Sequence, residues 1–264
     1  MLARVRSILP HGPIDLLRQI VLFCGAYWLY RLVRGMVDGR AGEAFENARG
    51  VVSIERGLGL FIEPSVHAWA SAHAVVIDSA SWMYVNSHFA ITTVTLAWLY
   101  LRRNERFYFV RNMFMVAMGI ALIGYVAVPT APPRFMPELG FTDSVEAFTG
   151  VNHDTGSAGV LFNPYAAIPS MHVAFALMLG LTMAQVARRR WAKLLWWSYA
   201  PMVTFVVIVT ANHWWFDAFL GAAVAAVAAV CAHGLFARAR PEVWAWNAAP
   251  RHQRAASLPY PSAG

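Results

Sequence analysis

Six apolar runs constrain this chain more than any other feature. They lie at about 14–34, 80–101, 107–128, 168–187, 194–212 and 214–237. A helix needs about 20 residues to cross about 30 Å of hydrocarbon. There every backbone N–H and C=O must be satisfied within the segment, so such runs fold as helices. Of the 264 residues, 58% are hydrophobic and 13% charged, whereas a soluble domain carries about a quarter charged. The expected fold class is all-α, a polytopic six-span helical bundle. It forms one membrane domain over 1–240, and the tail 241–264, rich in Pro, Ala and Ser, is expected to be disordered. Cys24 and Cys231 fall inside apolar runs and read as buried thiols rather than a disulfide. The first run begins near Ile14 without a small-residue cleavage site, so no cleavable signal peptide is expected.

The net charge of +7 has a place in this plan. Arginines cluster beside the apolar runs, which suits membrane orientation better than nucleic-acid binding. Arg102, Arg103, Arg106 and Arg111 join spans two and three, and Arg188, Arg189, Arg190 and Lys193 join spans four and five. Arg4, Arg6 and Arg18 surround the start of span one; Arg238, Arg240, Arg251 and Arg254 follow span six. With six spans these clusters share one side, the cytoplasm, and both termini lie there in a multi-pass cell-membrane protein. Arg31, Arg34, Arg40, Arg49 and Arg56 fall on the other side, where long loops count for less. The 35–79 segment mixes apolar and charged residues at helical spacing. Its two pieces, "AFENARGVVSIERGLGLF" and "PSVHAWASAHAVVI", read as two short interfacial helices on the outer side.

Orientation alone then gathers the reactive side chains. Span three runs outward into "PTAPPRF", span four starts outside at "NPYAAIPSMH", and span five delivers His213 to the same side. Arg134, Ser170, His172 and His213 thus converge at one membrane face. His213 and Asp217, four residues apart, share a helix face, so the carboxylate can fix the imidazole tautomer and leave its other nitrogen nucleophilic. Ser170 reads as the cap of span four, which puts His172 in a first turn whose N–H groups can hold phosphate. A guanidinium at 134 suits a phosphate through two parallel hydrogen bonds. Tyr84, Asn86 and His88, two turns into span two, either line the cavity or form a structural hydrogen-bond cluster. His67, His73 and His153 are expected at the interface.

These residues resemble a known set. "PSMH" (Pro169 to His172), "HWWFD" (His213 to Asp217) and Gly221 are similar to two motifs of the type 2 phosphatidic acid phosphatase superfamily. "PTAPPR" (Pro129 to Arg134) looks like the first motif of its branch containing inositol-phosphorylceramide synthase. The resemblance implies a six-span bundle and a catalytic site facing the extracytoplasmic side, with no metal and no cofactor. It implies His213 as the nucleophile, Asp217 as its orienting partner and His172 as the proton carrier. Arg134 and Ser170 would bind substrate. The phosphatase branch has a lysine and a proline where this chain has Ala127 and Phe135, and Ser-Arg where it has Val206 and Val207. Two cations are therefore missing. A phosphodiester carries one negative charge and a monoester nearly two, so this cation count suits a diester donor. The function expected is a lipid phosphotransferase that moves a phospho-head group from a phosphodiester lipid to a hydroxyl through a phosphohistidine. The alternatives are a lipid-phosphate phosphatase by the same route and a non-catalytic lipid-binding or transport protein. The partners are membrane lipids.

Overall fold

The structure is a computed structural model that describes residues 9–35, 39–150 and 165–236. The 241–264 tail, His153 and the arginines Arg4, Arg6, Arg238, Arg240, Arg251 and Arg254 lie outside the described residues. Among the described residues the fold is all-helical with no strand; one isolated parallel bridge joins Thr130 to Ala166.

The helices are α1 (Pro13–Gly35), α2 (Ala41–Gly57), α3 (Glu63–Ser71), α4 (Ala74–Trp82), α5 (His88–Arg102), α6 (Asn104–Ala127), α7 (Ser144–Thr149), α8 (Met171–Val186), α9 (Arg190–Val209) and α10 (Trp215–Val230). Three stretches are long and apolar enough to cross a membrane: α6, α9 and Trp215–Gly234, the last being α10 with part of the π turn Cys231–Phe236. α8 is apolar throughout but only 16 residues long, about 24 Å.

Two boundaries differ from the sequence reading. The second outer helix, expected over Pro64 to Ile77, ends at Ser71, because His73 takes φ −122° and ψ 89°, which no helix continues. The second apolar run, expected from about residue 80, therefore starts earlier. α4 leads through a π turn, Met83–Ser87, straight into α5. Such a turn inserts an extra residue into the helical ladder and re-aims the side chains on either side of it.

α6, α8 and α10 form the centre of the bundle, with α9 packed along α8 and α1 along α6. Small residues let the backbones meet. A Cβ at Gly221 would come within 2.3 Å of the Ser170 carbonyl oxygen, and one at Gly180 within 2.7 Å of that of Trp196. Gly221 thereby allows the start of α8 to lie against α10, which brings the two histidine-bearing ends together. A second apolar cluster caps one end, where Ala44, Ala48, Val51 and Val52 of α2 pack with Met136, Phe141, Ile168 and Trp214.

At the opposite end a polar network ties α1 to the rest. Asp15 accepts from Gln19 (3.1 Å), Tyr100 (2.8 Å) and Tyr108 (3.0 Å), and Arg111 donates to Gln19 (2.7 Å) and Asn112 (2.7 Å). Arg111, expected in a surface cluster, is buried here with its guanidinium over the Tyr108 ring. The two cysteines are free; Cys24, expected buried, lies on the exposed face of α1 because the opposite face packs on α6.

Candidate active site

The link between α9 and α10 decides where His213 goes. The carbonyl of Val207 accepts from both Asn212 N–H (3.0 Å) and His213 N–H (3.2 Å), which folds the chain back over the end of α9. Ala211 pays for the turn with φ 55°, in the left-handed region that costs a non-glycine residue about 1–2 kcal/mol. His213 thus precedes α10 rather than lying on it, as the spacing had suggested. The N-cap is Trp214, and Asp217 occupies the third helical position. Asp217 Oδ2 reaches back to accept from Trp214 N–H (3.0 Å) and lies 3.2 Å from His213 Nδ1. The contact expected from helical spacing is present, but helix capping produces it. With Nδ1 engaged, Nε2 is the nitrogen left for chemistry.

His172 arrives from the other side. Ser170 caps α8 as expected, its hydroxyl accepting from Val173 N–H (3.5 Å), and His172 sits in the first turn. The Ser170 N–H donates to the Asp217 carbonyl (3.1 Å), which locks the two helix starts together. The His172 and His213 ring centroids lie 5.7 Å apart, near the width of one phosphate group. Both rings line a cavity of about 410 Å³ together with Arg134, Asp143 and Asn212. Ser170, expected to bind substrate, is fully buried and outside the cavity lining, with its hydroxyl committed to the cap.

Arg134 is held by several bonds. Its backbone N–H donates to the Ala211 carbonyl (2.8 Å) and its Nη1 to Asn212 Oδ1 (2.9 Å). Its Nε pairs with Asp143 Oδ2 at 3.0 Å, and its guanidinium lies 4.4 Å from the centre of the Phe135 ring. Nearby, Trp214 Nε1 donates to the Ala131 carbonyl (3.0 Å), bolting the Pro129–Arg134 segment to the His213 link. Val206 and Val207 are buried, and the Val207 carbonyl holds the link instead of a side chain offering charge.

Tyr84 and His88 line the cavity, with ring centroids 4.7 and 5.0 Å from that of His172. Asn86 does not: it is exposed, and its amide donates to the Trp82 carbonyl (3.1 Å). Tyr84 and His88, four residues apart, share the inward face of this stretch, and Asn86, two residues after Tyr84, falls on the far side. His67, expected at the interface, is buried at 1% exposure. Its Nε2 accepts from Thr142 N–H (3.2 Å), so Nδ1 donates to the Val209 carbonyl (2.7 Å). His73 is exposed, its Nδ1 bonded to the Trp69 carbonyl at 2.7 Å.

Sequence reasoning passed over Asp143, Asn212, Glu55 and Glu63. Asp143 was locally legible: it caps α7, accepting from Val145 and Glu146 N–H, with an acid three residues on. Its pairing with Arg134 was not. Glu55, in the first outer piece, and Glu63, between the two pieces, are both buried and accept from α10 backbone N–H groups.

Comparison with known proteins gives one match. A family model described as the PAP2 superfamily matches residues 49–231, most of the chain and all of the site just described. No curated protein and no solved structure matches. The matched span takes in α10 with its His213–Asp217 start, α8 with His172 and the Arg134 segment, and on that match the chain belongs to the PAP2 superfamily, whose members are phosphatases and phosphotransferases.

Proposed function

We propose that this protein is an integral-membrane lipid phosphotransferase, resembling the inositol-phosphorylceramide synthase branch, that takes a phospho-head group from a phosphodiester lipid. The carrying observation is the charge around the reacting centre. Arg134 is the cation that lines the cavity, and Asp143 already pairs with it at 3.0 Å. A site so nearly neutral suits one phosphate charge better than two. The cavity lining supports a lipid. Beside the histidines it includes Phe23 and Tyr27 of α1 and Val85, Phe89 and Thr93 of the α4–α5 rod, and Phe89 is exposed.

In this reading His213 Nε2 attacks phosphorus in line, forming an N–P bond as the P–O bond to the lipid breaks. His172, protonated, gives its proton to the departing alkoxide. The acceptor hydroxyl then loses its proton to His172 and attacks the phosphohistidine; the N–P bond breaks and His213 is regenerated. Asp217 stabilises the imidazolium character of His213 in both steps. Arg134 holds the non-bridging oxygens. A phosphatase would follow the same path with water as acceptor.

The proposal includes six spans, adding α1, the α4–α5 rod and α8 to the three long apolar helices, with α2 and α3 at the outer interface. The termini are then cytoplasmic and the site faces the extracytoplasmic side of the cell membrane. An impermeant reagent should label a cysteine placed at Phe148 in intact cells and one at Arg190 only after permeabilisation; the reverse pattern overturns the outward site. The reaction itself is tested by incubating the purified protein with labelled phosphatidylinositol and, separately, a labelled lipid phosphomonoester. Transfer from the diester to a hydroxyl lipid, with label trapped on His213, is expected. Release of inorganic phosphate from the monoester alone makes the protein a phosphatase.

A further inference from the structure

Three carboxyl groups meet at the start of α10. Trp214 N–H donates to Asp217 Oδ2 (3.0 Å), Trp215 N–H to Glu63 Oε1 (3.1 Å) and Phe216 N–H to Glu55 Oε1 (2.9 Å). The two glutamates come from α2 and α3 and are 2% and 0% exposed. A helix start of this kind normally offers its N–H groups to an anion such as phosphate. Here side chains of the protein occupy them, and His213 stands one residue before.

The second oxygens of the glutamates need a partner. Glu55 Oε2 and Glu63 Oε2 are buried with no hydrogen-bond partner among the described residues, and their first oxygens hold the adjacent N–H groups of Phe216 and Trp215, which brings the two carboxyl groups side by side. Two carboxylates side by side in apolar surroundings, with Asp217 adjacent, would repel strongly. One proton between them removes a charge and joins the two oxygens. Glu55 carries it: burial, then the bond to Glu63, pushes its carboxyl up to about 9, against the pull of the Phe216 N–H. The other groups facing Glu55 are Glu63 and Asp217; Asp217 in turn faces His213.

The same outer segment grips the Arg134 side of the site. Asn47 donates to the Pro129 carbonyl (2.8 Å), Ala131 N–H donates to Ala44 O (3.0 Å), and His67 holds the end of α9. We propose that Glu55 and Glu63 are positioning residues that, sharing one proton, clamp the first turn of α10 and hold His213 and Asp217 in register with His172 and Arg134. They also close that helix start to the substrate phosphate, leaving it to the α8 side. This rests on His213 being the nucleophile.

A pH dependence follows. The folded protein holds this proton between about 4.5, the ordinary value, and about 9, whereas the unfolded chain releases it. The folded state therefore binds more protons across that window, so stability falls as pH rises through it and levels off above.

The test uses full-length protein in lipid nanodiscs. Infrared difference spectra of the wild type should show a protonated-carboxyl band that titrates near pH 9 and is missing in Glu55→Gln. Glu55→Ala should slow phosphorylation of His213 at least about tenfold near neutral pH with little change in donor KM, since misplacement acts on the chemical step. Glu55→Gln should restore most of that rate and abolish its decline above pH 9, because the amide accepts from Phe216 N–H and donates permanently to Glu63. The proposal is overturned if no carboxyl band is lost in Glu55→Gln, if Gln is as slow as Ala, or if wild type and Gln share one alkaline decline. Should Glu55→Ala fail to fold, the band and the alkaline limb of Glu55→Gln decide. A band that behaves as expected in a protein that no donor phosphorylates would keep the pair and remove the nucleophile assignment.

Discussion

At one end of the bundle both oxygens of Asp15 are bonded, and Gln19, Asn112 and Arg111 complete a closed set. At the other end, His172, His213 and Arg134 border an open cavity. The buried side-chain atoms without a partner among the described residues belong to this second end: Asp217 Oδ1, His88 Nε2, Thr92 Oγ1, Trp215 Nε1 and the outer oxygens of Glu55 and Glu63. Both clusters place charge in apolar surroundings, where each unpaired group is costly. The closed cluster uses its polar atoms on each other and so fixes α1 against α6. The open one leaves capacity for a ligand and a proton, which is what a site requires. Unfilled bonding capacity, more than polarity, separates the cavity end from the closed one.

Mutations can break this contrast. The largest effect is expected from His213→Ala. Phosphoryl transfer should fall by about 10⁴-fold or more, as for loss of a nucleophile elsewhere, while the apparent unfolding temperature in detergent stays near that of the wild type. Asp15→Ala should do the reverse. It strips the acceptor from Tyr100, Tyr108 and Gln19 and leaves the charge of Arg111 uncompensated, a loss of about 3–5 kcal/mol in unfolding experiments, with turnover per folded molecule little altered. If Asp15→Ala instead abolishes turnover in folded protein, the two ends are not separate.

Smaller changes sharpen it. Asp143→Asn keeps a good cap for α7 but removes the charge paired with Arg134. The preference for a diester over a monoester donor should shift toward the monoester by several-fold, about the worth of a partly exposed ion pair. An unchanged ratio of kcat/KM values would show that Asp143 does not set the charge of the site. The smallest effect belongs to Ala211→Gly. Glycine relieves the φ of 55°, but it removes a buried methyl from the outer cluster and adds freedom to the unfolded chain, so the effects offset and stability should change by less than about 1 kcal/mol. A loss of several kcal/mol would mean that the buried Ala211 methyl, packed in the outer cluster, outweighs the relief of the turn.

The helical class, the cap at Ser170 and the pairing of His213 with Asp217 were legible because each depends on near neighbours. Hydropathy period, a serine before an apolar run and a four-residue spacing are all local quantities. The PAP2 superfamily membership was legible for the same reason, since its motifs are short. Local reading also had limits within a helix. It did not show the π turn over Met83–Ser87, because a ladder of helical hydrogen bonds can absorb an extra residue without a distinct sequence signature.

What the sequence by itself determined is a set of apolar helices and a short list of reactive side chains at their ends. Tertiary structure alone decided which charges are spent on one another. Asp143 neutralises Arg134 across the fold; Glu55 and Glu63, from the charged outer segment, cap α10 from within; Arg111, which reads as a topology charge, is buried over Tyr108. The physical reason is that helical periodicity records which face is apolar, whereas the energy of a charge depends on the distance and burial of its partner. Those are set only when helices far apart in sequence pack, as α2 and α3 do over the start of α10.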